Sequence, residues 1–270
     1  MSIQPAQPQS IGGVLDTTFQ LYKASIVKVI PLSLLMVIAG SPSSIYMFTQ
    51  GAGNPADPFA MLNLMRSPSY WLSALVGMIA TVWMISAMYL KIGAIGSGGD
   101  MGLGTALQKA LTRLLPVVLM MILFTVALMI GAVLLIIPCL ILMVSLALCF
   151  NIALFENKGP VDSLTESHRL VWGNWWRTAA ILTVGFIIVI VIYMVAGLII
   201  GVVTPLLVLG GGGAENLILI SLISGLLVGV LMNLLVTPFY VSMAIAIYWD
   251  LKLRRDGGDL AARVGALNPA

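Results

Sequence analysis

Six stretches of predominantly apolar residues, roughly 25–48, 70–95, 114–137, 139–156, 178–207 and 216–250, constrain what this chain can fold into more than any other feature. Each is about the 20 residues that a helix needs to cross the hydrocarbon core of a bilayer. Composition agrees, since 60% of the 270 residues are hydrophobic and only 9% are charged, against about 25% charged in soluble chains. Thirteen Lys/Arg, ten Asp/Glu and one His are too few to cover a water-soluble surface of this size. The bilayer is therefore the expected solvent. A net charge of +3 and two cysteines exclude a nucleic-acid binder with a basic face and a disulfide-stapled secreted module. The opening MSIQPAQPQ has no Lys or Arg and no apolar run, so no cleaved signal peptide is expected.

The first stretch is interrupted by Gly40, Ser41, Pro42, Ser43 and Ser44, which predicts a broken or half-span helix there. The third and fourth are separated only around Pro138, so the pattern predicts a tight turn at that proline between two crossings. Orientation follows from basic residues, which stay on the cytoplasmic side. One set of ends holds Lys23, Lys28, Lys91, Lys109, Arg113, Lys158, Arg169, Arg177, Lys252, Arg254, Arg255 and Arg263, and the other holds Arg66 alone. With six spans, this places both termini in the cytoplasm. Outside lie the loops 49–69 and 208–215, with the Gly210 to Gly213 run, and the turn at Pro138.

A short amphipathic segment precedes each outward-going span. Ile11, Val14, Leu15, Phe19, Tyr22 and Ile26 share one face, away from Asp16, Thr17, Gln20 and Lys23. Leu103, Leu107, Leu111 and Leu114 oppose Gln108, Lys109, Thr112 and Arg113. Val161, Leu164, His168, Val171 and Trp175 oppose Asp162, Thr165, Glu166 and Arg169. Each segment reads as an interfacial helix. The expected fold is thus all-α, a single integral membrane domain over 1–270. Its six transmembrane helices form three amphipathic-helix-plus-hairpin units, 10–97, 102–158 and 160–250, ahead of a cytoplasmic tail at 251–270. Copies of this kind run parallel and predict a rotation near 120° about the membrane normal.

The most distinctive stretch is ESHRLVWGNWWR, residues 166–177. Indole prefers the headgroup layer and guanidinium neutralises phosphate, so Arg169, Trp172, Trp175, Trp176 and Arg177 are the candidate lipid-binding residues, set against a plain interfacial belt. His168, the single histidine, falls on the apolar face and predicts a neutral imidazole packed under the bundle. Lys28, Lys91, Glu156 and Asp250 lie near the basic ends, where they are expected to reach water by snorkelling. Asn233 is the deepest strongly polar side chain and the candidate pathway residue, weighed against an interhelical hydrogen bond. Gly197 and Gly201, and Ser221, Gly225 and Gly229, recur every four residues and predict close packing of the last two spans. Cys139 and Cys149, ten residues apart in one span, read as core residues. No metal motif, backed nucleophile or phosphate loop stands out, and GSGGDMGLG at Gly96 to Gly104 reads as a flexible loop, so catalytic, cofactor and metal sites are all expected to be absent.

ESHRLVWGNWWR, the C-terminal YWDLKLRRDGGDL and the IPCLILMVSLALCFNIALFENKGPVDSL region together resemble a bacterial integral-membrane family that is similar to the membrane domain fused to some glycerophosphodiester phosphodiesterases. The likeness covers about 100–260, with a weaker echo at LDTTFQLYK. It implies a six-helix bacterial inner-membrane protein and carries no catalysis, because in the fused enzymes the chemistry belongs to a separate soluble barrel.

The functional expectation is a non-enzymatic multi-pass protein that binds, organises or helps move lipid or another amphiphile at the cytoplasmic leaflet. The rival is a transporter or channel for a small solute along the pseudo-threefold axis. Expected partners are membrane lipids and not nucleic acid, with a protein partner or homo-oligomer left undetermined.

Overall fold

A computed structural model of the chain describes residues 2–49, 59–209 and 217–267. The described residues form helices α1 (Ile11–Thr49), α2 (Ala60–Met65), α3 (Pro68–Gly96), α4 (Leu103–Thr112) and α5 (Leu114–Leu134), then α6 (Ile136–Ser145), α7 (Cys149–Phe155), α8 (Pro160–Trp172), α9 (Trp175–Leu209) and α10 (Leu217–Leu267). No strand occurs among them. Six helical segments are long and apolar enough to cross a membrane: Ile11–Pro42, Pro68–Gly96, Leu114–Leu134, Ile136–Phe155, Trp175–Ile199 and Leu227–Gly257. The Gly210 to Gly213 run and residues 50–58 of the 49–69 loop lie outside the described residues.

The first amphipathic segment and the first span are one helix, with no break at Gly40 to Ser44. Pro42 lacks the N–H that would bond the Ile38 carbonyl one turn back. Ser41 Oγ donates to that carbonyl at 2.7 Å instead, so the turn keeps its hydrogen bond. The turn between the third and fourth apolar helices sits at Leu135, the single residue between α5 and α6. Pro138 is the third residue of α6, where its missing N–H costs nothing because first-turn amides have no helical partner. Gly131 makes the hairpin tight, since a Cβ there would lie 3.1 Å from the Cys139 Cα and 3.0 Å from Leu142 Cδ1.

The fourth apolar run breaks again at 146–148, between α6 and α7. Such a break exposes polar backbone, and Ser167 of α8 satisfies it: its hydroxyl accepts from Leu148 N–H at 3.2 Å and donates to the Ser145 carbonyl at 2.9 Å. All three residues are buried. Leaving either backbone group unpaired inside protein costs about 1–3 kcal/mol. Ser167→Ala is therefore expected to lower the unfolding midpoint clearly, whereas Ser163→Ala, whose hydroxyl donates only to Gly159 within its own helix, should have a small effect. Thermal unfolding of the two purified variants distinguishes them.

The core lies between α1, α3, α7 and α10, with Leu21, Met88, Ile92, Ile152, Ile245 and Ile247 among its buried members. α1 runs antiparallel to α3, with Gly77 against the Ala39 carbonyl near one end and Gly96 against Leu21 near the other. Gly96 also lies beneath the Trp249 ring, which leaves no room for a side chain there. The predicted glycine contacts between the last two spans do not form, because Gly197, Gly201, Gly225 and Gly229 all face open space. Small residues permit close approach without compelling it. The two helices meet instead where Gly185 lies under the Met243 thioether.

In all three amphipathic segments the buried face is rotated from the one the apolar pattern indicates, with Val14 and Val171 common to both. In α1 the buried residues are Val14, Thr17, Thr18, Leu21 and Ser25, while Phe19 is 47% exposed. In α4 they are Ala106 and Ala110, and Leu111 is 52% exposed. In α8 they are Ser163, Ser167, Leu170 and Val171, while His168 faces outward and packs at 4.8 Å, tilted by 41°, on Trp172. In water a large apolar side chain must turn inward, but lipid tails are as apolar as leucine. Small residues then take the interior, because they let backbones approach, and the Ser167 hydroxyl also bonds the chain it meets.

Candidate functional site

A cavity of about 670 Å³ opens where α8 turns into α9, walled by Ile137 and Ile141 of α6 and by Trp172, Gly173, Asn174, Trp175, Trp176 and Arg177. Four of the five candidate lipid-binding residues meet here, and Arg169 is exposed outside it. Gly173 and Asn174 interrupt the helix, so three indoles that would spread around one continuous helix are gathered about the corner. Trp175 anchors it, donating Nε1–H to the Ile141 carbonyl at 3.4 Å. Trp176 packs edge-on against Trp175 at 4.8 Å, yet is 83% exposed. The volume lies within the range of small-molecule pockets, and the walls are mostly hydrocarbon and indole.

Arg177 also has a second engagement. Its Nε and Nη2 donate to Asp250 Oδ2 at 3.1 and 3.0 Å, and Nη2 donates to the Gln9 carbonyl at 2.6 Å. Arg254, one turn beyond Asp250, donates to the same two acceptors at 3.0 and 2.5 Å. The Gln9 N–H completes the set on Asp250 Oδ1 at 2.8 Å. Asp250 is 1% exposed, so it does not snorkel; it is an internal acceptor tying the N-terminal segment to α9 and α10. Lys91 is likewise buried, at 6% exposure, and donates Nζ–H to the Met101 carbonyl at 2.7 Å, which fastens the Gly-rich loop to α3. That loop is further held through Gly96, whose carbonyl accepts from the N–H groups of Ile3 and Gln4 at 2.8 and 3.0 Å.

A second ionic cluster joins the end of α7 to α8 and α10. Glu156 accepts from Lys252 at 2.9 Å and Tyr248 at 2.8 Å and pairs with Lys158 at 3.0 Å. Glu166 pairs with Lys158 at 3.6 Å and, more closely, with Arg255. Burial pushes the Glu156 carboxyl up, but the bonds from Lys252, Lys158 and Tyr248 outweigh it and bring the pKa from 4.5 to about 2. A folded-state pKa below the unfolded one stabilises the fold fully above the unfolded value and progressively less as pH falls towards the folded one. Acid titration should therefore weaken the protein between about pH 4.5 and 2, and Glu156→Gln should flatten that part of the pH–stability curve.

The candidate pathway residue Asn233 donates Nδ2–H to the Gly229 carbonyl at 2.9 Å, within its own helix. Cys139 and Cys149 are both free thiols, with Cys149 in the core. Nothing in a single sequence marked Gln9 as an acceptor, whereas the i, i+4 spacing of Asp250 and Arg254 is a signal from which that pair could have been read. Ser163 and Ser167 show the same spacing, with Ser167 inside the distinctive stretch.

Residues 65–248 match the model of a family described as Domain of unknown function (DUF7847), and the chain belongs to that family. No curated protein and no solved structure matches it.

Proposed function

We propose that this DUF7847 protein is a non-enzymatic multi-pass protein of the bacterial inner membrane, with both termini cytoplasmic, that binds, organises or helps move lipid or another amphiphile at the cytoplasmic leaflet. The observation that carries it is the cavity at the α8–α9 corner, where three indoles and two isoleucines offer an apolar slot beside the Arg177 guanidinium. Trp172, Trp175 and Trp176 suit the headgroup boundary, where an amphipathic ring sits most favourably. Arg169, exposed and outside the Asp250 lock, is the side chain available to a lipid phosphate. The rival transport reading has less to stand on, because Asn233 spends its amide on its own helix.

The three-unit organisation belongs to the same proposal. Aligning Leu15, Leu107 and Leu164 superposes Val14, Ala106 and Ser163, and also Thr18, Ala110 and Ser167, and all six are 0% exposed. Shared burial at matched positions supports a common unit of one amphipathic segment and two apolar helices.

Mass spectrometry of lipid co-purifying with the protein tests the binding reading. Trp172→Ala with Trp176→Ala, both exposed positions, should fold and lose the retained lipid. Arg169→Gln should weaken binding of anionic vesicles about fivefold, the equivalent of about 1 kcal/mol, with a smaller loss at high salt. An unchanged lipid profile in the folded Trp double variant would leave the segment an interfacial belt. Sidedness is read separately. An impermeant maleimide applied to intact cells should label Ser69→Cys and spare Asp100→Cys and Gly257→Cys.

A further inference from the structure

We infer that α5 and α6 do not cross the bilayer, and that they form a hairpin lying within the leaflet on the Asp250 side, where it offers its apolar surface to acyl chains. Contacts with α10 fix the level of each segment. Tyr248 Oη meets Glu156 just after α7, and Asp250 meets Arg177 just after the start of α9. Tyr248 and Asp250 are separated by only about 3 Å of helical rise. Gly185 beneath Met243 gives α9 the same register against α10, so Trp175 to Arg177 lie beside Asp250. Ile141, bonded to Trp175, and Ile137, which shares the cavity with Arg177, are therefore at that level too. The fourth apolar run thus begins and ends at one level of α10, that of Tyr248 and Asp250. A crossing would separate its ends by about 30 Å.

α5 shows the same. Arg113, at its start, donates Nη2–H to the carbonyls of Ala153 and Lys158, each at 3.1 Å, and Gly131, near its end, packs on Cys139 and Leu142. Both of its ends sit at the charged end of the bundle, so its roughly 31 Å lie across α10 and not along it. α8 lies beside the hairpin, with Ser167 on Ser145 and Leu148.

Lipid is the occupant that fits the exposed surface. Residues 114–155 contain no charged side chain, and Leu115, Ile122, Val126, Ile130 and Val133 are all more than 45% exposed. A helix about 10–12 Å across fits within one leaflet, half of a hydrocarbon core about 30 Å thick. One consequence is that the second unit keeps the order of the other two but not the expected rotation about the membrane normal.

The test places a nitroxide at Val133→Cys in a Cys139→Ala, Cys149→Ala background, with the full chain reconstituted in phosphatidylcholine–phosphatidylglycerol vesicles. Oxygen, which partitions into lipid, should broaden its signal strongly and a water-soluble nickel chelate hardly at all. In intact cells an impermeant maleimide should label Ser69→Cys and leave Val133→Cys unmodified. Labelling of Val133→Cys at the Ser69→Cys rate, or strong relaxation by nickel from that side, would show a crossing and overturn the inference. Shielding from both oxygen and nickel would show the hairpin covered by protein, and would overturn it equally. If the cysteine-free background does not fold, the wild-type chain keeps Cys139 as a reporter four residues beyond Leu135, and its modification from the Ser69 side decides the matter in the same way.

Discussion

Asp250→Ala is expected to cost about 3–5 kcal/mol of folding stability, because removing one partner of a buried ion pair leaves the other charge uncompensated. Here two guanidiniums lose their acceptor together, Arg177 and Arg254, along with the Gln9 N–H. Some solvent reaches Arg177 and Arg254, whose side chains are 18% and 31% exposed, so the lower part of that range is expected. The variant should also release the N-terminal segment, since Gln9 is held from both its N–H and its carbonyl by this cluster. Limited proteolysis near residue 9 together with thermal unfolding in detergent reads both effects. A variant with wild-type melting and an uncut N-terminus would show that the lock contributes nothing. The same geometry predicts that Arg177→Gln acts first on stability, so lipid binding is better probed through Arg169 and the tryptophans.

Gly77→Leu should be comparably severe, at about 3 kcal/mol, the upper end of the usual cost of overpacking. A Cβ at Gly77 would lie 2.8 Å from the Ala39 carbonyl oxygen. Backbone of a neighbouring helix has no rotamer in which to move aside, so α1 and α3 must separate, and with them the packing of Leu21 under Gly96. Gly197→Leu is the matched control, since a Cβ there meets open space and leucine is the better helix former. Equal melting of the two variants would mean that α1 and α3 do not approach at Gly77.

The lipid-facing character of the chain, its helical class and its six apolar helices were legible because each follows from local composition alone. Apolar runs of about 20 residues require satisfied backbone in lipid, and only a helix provides that within one segment. The Trp172 to Arg177 stretch stood out by composition, and its residues do gather around one cavity. How they gather was not legible: the corner at Gly173 and Asn174 and the α6 wall come from contacts distant in the chain.

Two further decisions belong to the tertiary structure. The first is which face of an amphipathic segment turns inward. Hydrophobic periodicity fixes that in water, but in a bilayer both sides of a helix are apolar, and packing chose Ala106 with Ala110 and Ser163 with Ser167 over the leucines beside them. The second is the fate of polar groups. Asp250 and Lys91 sit near span ends where charge would ordinarily reach water, yet each is enclosed and bonded. A buried charge is stable only with its full set of partners, and to Arg254 on its own helix Asp250 adds Gln9 and Arg177 from two distant segments. By itself the sequence determined the solvent this protein lives in and the helices that solvent demands, because both depend on residues close together in the chain. Which surfaces and charges the helices enclose was decided only where segments far apart in sequence meet.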